Sequence, residues 1–184
     1  MKNKLEILYE DNQIIVVVKP INILSQSDST LDIDMLTLVK EYIKEKYNKP
    51  GNVYIGLVHR LDRPTGGIMV FARNSKAAKR LSNQIQNKEF KKSYLAVIPG
   101  FNKQKGELTN YIDKDSNGNS FITTKDKGKY AELKYELIKK IDNLSLVKID
   151  LITGRHHQIR VQFKNIGYPL YGDQRYGIKD NKQL

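Results

Sequence analysis

The sequence predicts an α+β fold, a mixed and mostly antiparallel β-sheet with flanking helices, and three observations carry that expectation. Strand-like runs outnumber helical ones, and the two kinds do not alternate strictly as parallel βαβ units require. Segments 131–137 (AELKYEL) and 145–151 (SLVKIDL) alternate apolar and polar residues with period two, the signature of strands that bury one face. At 184 residues the chain is long enough for one compact core and short for two ordinary ones, so one domain over residues 1–184 is expected.

The elements follow from local signals. Segment 14–19 (IIVVVK) is a β-branched apolar run closed by Pro20, which reads as a strand buried on both faces. From 34 to 47, Met35, Leu36, Leu38, Val39, Tyr42 and Ile43 recur at helical spacing, with Asp32 and Asp34 at the dipole-favoured start. Two short apolar stretches, 54–59 and 67–72, enclose the polar segment Arg60-Leu61-Asp62-Arg63-Pro64-Thr65-Gly66, which must be a loop or tight turn. Asn74 or Ser75 caps a second helix to about Asn87, apolar along Ala77, Ala78, Leu81 and Ile85 and basic elsewhere. Segment 94–98 is a further strand, Asn117-Gly118 marks a hairpin turn, and Ile159, Phe163 and Ile166 share the face of a last helix stopped by Gly167 and Pro169.

Composition narrows the function. Lys and Arg number 32 against 20 Asp and Glu, a net charge of +12, and such a field attracts phosphate polymers through counterion release. The chain has no Cys, which excludes a disulfide scaffold, a thiolate zinc site and a Cys nucleophile. Lys2, Lys4 and Glu6 interrupt any apolar run at the start, so neither a signal peptide nor a membrane span is expected there, and the protein is expected to be a soluble, cytoplasmic monomer. His59, His156 and His157 supply no recognisable metal spacing, and the glycines match neither phosphate-loop nor dinucleotide fingerprints, so neither a metal nor a cofactor is expected.

Two constellations carry possible chemistry. Asp62 sits in a loop between Arg60 and Arg63, cations that favour the charged form of a carboxylate, although most Arg-x-Asp tripeptides are solvated ion pairs. Segment 153–160 (TGRHHQIR) leads from a glycine turn into a helix, where His157 and Arg160 stand one turn apart and can project together. Cations at a helix start oppose its dipole, which tilts this cluster toward function. Tyr94, next to the basic pair Lys91-Lys92, is placed to stack on a base.

Taken together, these motifs resemble those of the RluA-like pseudouridine synthases. Segment 58–67 (VHRLDRPTGG) is similar to the family's HRLD motif and following turn, 92–97 (KSYLAV) to K-x-Y-x-A-x-V, 153–161 (TGRHHQIRV) to T-G-R-x-H-Q-I-R-V, and 166–173 (IGYPLYGD) to I-G-x-P-I-x-G-D. The motifs stand in family order and span the chain from about Ile14 to Tyr176. Family members often carry an S4-like module before the catalytic domain and continue beyond the G-D-x-x-Y-G segment. No S4-like module is expected ahead of the catalytic domain here, and the chain, whose sequence stops at Leu184, is expected to be truncated at its C-terminus.

The resemblance implies an enzyme that isomerises uridine in structured ribosomal or transfer RNA, with Asp62 as the catalytic carboxylate, either attacking C1′ or acting as base at C2′. It implies that Arg160 pairs with Asp62, that Tyr94 packs on the uracil, that the uridine is flipped out of its stack and that Arg60 fills the vacated space. His157 and Gln158 are further candidates for support and substrate binding. Lys76, Lys79, Arg80, Lys92 and Arg155 are candidates for RNA phosphate contacts. Two rivals stand beside this reading: a non-catalytic RNA-binding protein, and a glycosidase that would release free uracil.

Overall fold

The computed structural model describes residues 5–177, and the chain divides into two compact units, one up to Glu89 and one from Phe90 onward. The first contains β1 (Glu6–Glu10), β2 (Ile14–Lys19), α1 (Met35–Lys46), β3 (Gly56–Leu57), β4 (Gly67–Ala72) and α2 (Ser75–Gln86). Its four strands pair antiparallel in the order β1-β2-β4-β3. β2 alternates: Ile15, Val17 and Lys19 are fully buried, whereas Ile14, Val16 and Val18 are only partly covered. The continuous apolar run therefore seals one face of the sheet, not both as expected.

Both helices begin where short polar side chains accept the N–H groups that a first turn leaves free. Asp34 caps α1 by accepting from the Thr37 N–H at 3.0 Å, and Asn74 caps α2 by accepting from the Ala77 N–H at 2.8 Å. Met35, Val39 and Ile43 recur every fourth residue and form the buried stripe of α1. On α2 only Ala77 is buried, and Lys76, Lys79 and Arg80 are exposed.

The second unit is a five-stranded antiparallel sheet, β5 (Lys92–Pro99), β6 (Lys105–Lys114), β7 (Ser120–Thr123), β8 (Lys129–Ile141) and β9 (Leu144–Leu151), followed by α3 (Gln158–Asn165). The strand order is β5-β9-β8-β6-β7. Ala131, Leu133 and Tyr135 on β8, with Val147 and Ile149 on β9, turn inward at every second position as the period-two pattern predicts. Their core closes over Phe101 and Phe163, with Phe101 edge-on to Tyr135, Phe163 and Tyr168 at 5.2 to 5.6 Å. Gly118, at φ +79, turns the β6–β7 hairpin at Asn117-Gly118.

The expected class holds, with two sheets rather than the single one foreseen. Every strand pair is antiparallel, and the isolated bridge Leu24–Asp34 is parallel.

Candidate active site

Asp62 and Arg60 belong to the first unit, in the loop between β3 and β4. The apolar stretch 54–59 shrinks to the two residues of β3, because the His59 ring takes over where the backbone ladder would continue: its Nε2 accepts the Val70 N–H of β4 at 3.0 Å. Leu61 is buried, and one hydroxyl satisfies both of its backbone groups. Ser25 Oγ accepts the Leu61 N–H at 3.0 Å and donates to the Leu61 carbonyl at 2.7 Å. With Leu61 turned inward, Arg60 is exposed and Asp62 partly exposed, the alternation expected of residues two apart in extended chain.

Beyond Asp62 the loop closes in a turn, the Thr65 N–H donating to the Asp62 carbonyl at 3.0 Å. Arg63 pairs with Asp32 in solvent, but its carbonyl is held from inside. It accepts from the Asn22 N–H at 2.8 Å and from the ammonium of Lys19 at 3.1 Å. Lys19 is completely buried and also donates to the carbonyls of Pro20 (2.9 Å) and Ile23 (2.6 Å). Burial pushes its pKa down to about 8, against the opposing pull of the Asp62 charge. Asp62 thus rides on a loop whose backbone is pinned on both sides by buried side chains.

The remaining candidates lie in the second unit. Tyr94 is on β5, opposite Ile149 of β9, half-buried against the Phe101 core. Gln158 is buried, and its amide holds the preceding turn. Its oxygen accepts from Thr153 Oγ1 at 2.8 Å and the Arg155 N–H at 2.9 Å, and its nitrogen donates to the Glu132 carbonyl at 3.0 Å.

His156 and His157 are not helical. His157 is the N-cap residue of α3 in the left-handed region (φ 51), and the two imidazoles stack with centroids 3.6 Å apart. His157 and Arg160 do converge, but through a third residue, since α3 begins only at Gln158. Tyr176 Oη stands 2.8 Å from His157 Nδ1, and its ring centroid is 5.0 Å from the Arg160 guanidinium. Arg160 forms a two-pronged pair with Asp173, Nε to Oδ2 at 2.8 Å and Nη2 to Oδ1 at 2.7 Å.

A cleft of about 250 Å³ opens beside the 153–156 turn, and it is basic because Lys114, Lys129 and Arg155 outnumber Asp113 in its lining. Lys92 lies behind that turn, where a side chain at position 154 would meet its Nζ at 3.0 Å. Burial and then the like charge of Arg155 push its pKa down. Arg155 is oriented by donating Nε–H to the Tyr130 carbonyl at 2.7 Å.

Among the described residues no group of three or more metal-ligating side chains stands together, and no helix is long and apolar enough to cross a membrane. Ser25, Lys19, Asp173 and Tyr176 were not singled out by the sequence patterns. Asp173 and Tyr176 fell within quoted motifs, where nothing marked them as the partners of an arginine.

Comparison with known proteins places the chain in a class defined by RNA modification. The family model for RNA pseudouridylate synthase matches residues 13–165, and the chain belongs to that family. The ribosomal large subunit pseudouridine synthase D of Borreliella burgdorferi is 36% identical over 181 residues, covering 95% of this chain and 55% of that protein. The ribosomal large subunit pseudouridine synthase C of Buchnera aphidicola (subsp. Baizongia pistaciae) is 35% identical over 176 residues, covering 94% and 54%. The chain therefore spans a little over half the length of these relatives. The solved structure of human RNA pseudouridylate synthase domain containing 4 shares the fold, with a TM-score of 0.81 at 21% identity over 97% of this chain and 72% of that one.

Proposed function

We propose that this chain isomerises uridine to pseudouridine within structured RNA, with Asp62 as the catalytic carboxylate and no cofactor, and that one catalytic domain spans both units. The family model's reach from 13 to 165, across the unit boundary, supports the second point. The names of the two bacterial relatives favour large-subunit ribosomal RNA over transfer RNA as substrate. The reaction breaks the N1–C1′ bond, turns the uracil and joins C5 to C1′, with the C5 proton leaving to solvent and N1 gaining one. Asp62 supplies the carboxylate at the sugar, as nucleophile at C1′ or base at C2′.

The observation that carries this reading is the immobilised loop. Ser25 fixes the residue before Asp62 and Lys19 the residue after it, so the carboxylate is held ready and little reorganisation is left to the reaction step. Arg160 orients that carboxylate, Tyr94 packs on the uracil and Arg60 fills the gap left by the flipped base. Gln158 and His157 support the turn and the helix start behind Arg160. Arg155, at the basic cleft, Lys92, behind the 153–156 turn, and Lys76, Lys79 and Arg80, on α2, take RNA phosphates.

RNA transcribed with [5-³H]uridine tests the reading, because forming the C5–C1′ bond releases tritium. Wild type is expected to release tritium without free uracil, and Asp62→Ala to release none while binding RNA within about threefold of wild type, because binding rests on the phosphate contacts. Tritium release by Asp62→Ala at the wild-type rate would refute the assignment, and free uracil would point to a glycosidase.

A further inference from the structure

We propose that Asp173 and Tyr176 are positioning residues of the active site, which fix the guanidinium of Arg160 in plane and direction. The proposal rests on the reading of Arg160 given above. Arg160 presents the Nε–Nη2 edge of its guanidinium to Asp173, and the side chains are only 14% and 4% exposed. A two-pronged pair of this kind sets the plane of the arginine as well as its distance, which a single contact would not.

Beneath that plane lies the ring of Tyr176, itself 5% exposed. The ring is locked at its far end, since its hydroxyl accepts the Ser120 N–H at 2.7 Å and meets His157 Nδ1 at 2.8 Å. Asp173 is locked too. Its Oδ1 accepts the Arg175 and Tyr176 N–H groups, both at 3.0 Å, and its carbonyl accepts the Gly177 N–H at 2.8 Å.

A buried ion pair is a poor source of stability, because desolvation offsets much of the attraction. A pair that only filled the core would be replaceable by apolar side chains. By holding the Nε–Nη2 edge, Asp173 also sets the direction in which the Nη1–Nη2 edge of the guanidinium faces. Asp173 neutralises much of the arginine's charge, so what it contributes at that second edge is direction.

The test is a mutant cycle on the whole chain, with tritium release and RNA titration as readouts. Asp173→Asn keeps the shape and removes the charge, and Tyr176→Leu removes the aromatic floor and leaves the carboxylate. Each is expected to lower kcat about 100-fold, the scale of a misdirected catalytic group, with KM for RNA within about threefold. In an Arg160→Ala background neither should cost more than about twofold, because both act through Arg160. If Asp173→Asn fails to fold, Tyr176→Leu carries the same cycle. Full activity of both variants, or equal losses with and without Arg160, overturns the proposal. If Arg160→Ala itself retains the wild-type rate, the reading of Arg160 falls and the positioning role falls with it.

Discussion

Replacing Ser25 with Ala removes one oxygen and orphans two backbone groups. The Ser25 hydroxyl is the partner of both the N–H and the carbonyl of Leu61, at 3.0 and 2.7 Å, and the two residues are only 5% and 9% exposed. A buried group left without its partner costs about 1–3 kcal/mol, and part of that is offset because the serine hydroxyl no longer has to be desolvated, so a net loss of about 2–4 kcal/mol is expected. In a chain of this size each kcal/mol moves the melting temperature by about 2–4 °C, which puts the shift at about 4–16 °C. Thermal unfolding followed by circular dichroism measures it. Leu61 immediately precedes Asp62, so tritium release at 25 °C, with the variant still folded, should fall about tenfold or more as the carboxylate loses its fixed geometry. A melting temperature within about 2 °C of wild type would show that the serine is not the clamp it resembles.

Two other substitutions probe the same framework. Lys19 has a folded-state pKa of about 8 against 10.5 for an ordinary lysine, so between those values the unfolded chain binds more protons than the folded one. Its contribution to stability is least favourable below about pH 8 and improves as pH rises toward 10.5, so urea unfolding at about pH 7.5 and about pH 10 should show wild type gaining on Lys19→Met; parallel behaviour would refute the shift. At Gly128 an added Cβ would stand 2.5 Å from Thr123 Cγ2 and 3.0 Å from the Ile112 nitrogen. Gly128→Ala should therefore destabilise the chain by about 1–3 kcal/mol in the same unfolding assay, and a neutral result would show that the β6–β7 hairpin yields easily.

Where a signal was local, the sequence was legible. Asp34 and Asn74 start their own helices because a capping side chain acts within three residues, and Gly118 turns its hairpin because the left-handed conformation is cheap only for glycine. β4 has the bounds that its apolar run implies. β1, β6 and β7 were missed because most of their residues are exposed or partly so, and such strands carry little apolar alternation. The two histidines misled because the periodicity of 159–166 was carried back past the true helix start. His157 is in the left-handed region that a helix excludes.

Taken alone, the sequence determined the class of fold, the boundaries of the first two helices and the candidacy of Asp62, Tyr94 and Arg160, since caps, periodicity and motif spacing are written in consecutive residues. Tertiary structure decided what holds them. Ser25 reaches Leu61 across 36 positions, Lys19 reaches Arg63 across 44, and Asp173 reaches Arg160 across 13. A lysine before a proline reads as a solvated strand end, and an aspartate in a glycine turn reads as a turn former. Each takes its actual role only when folding removes it from water and supplies the partners that make its burial tolerable.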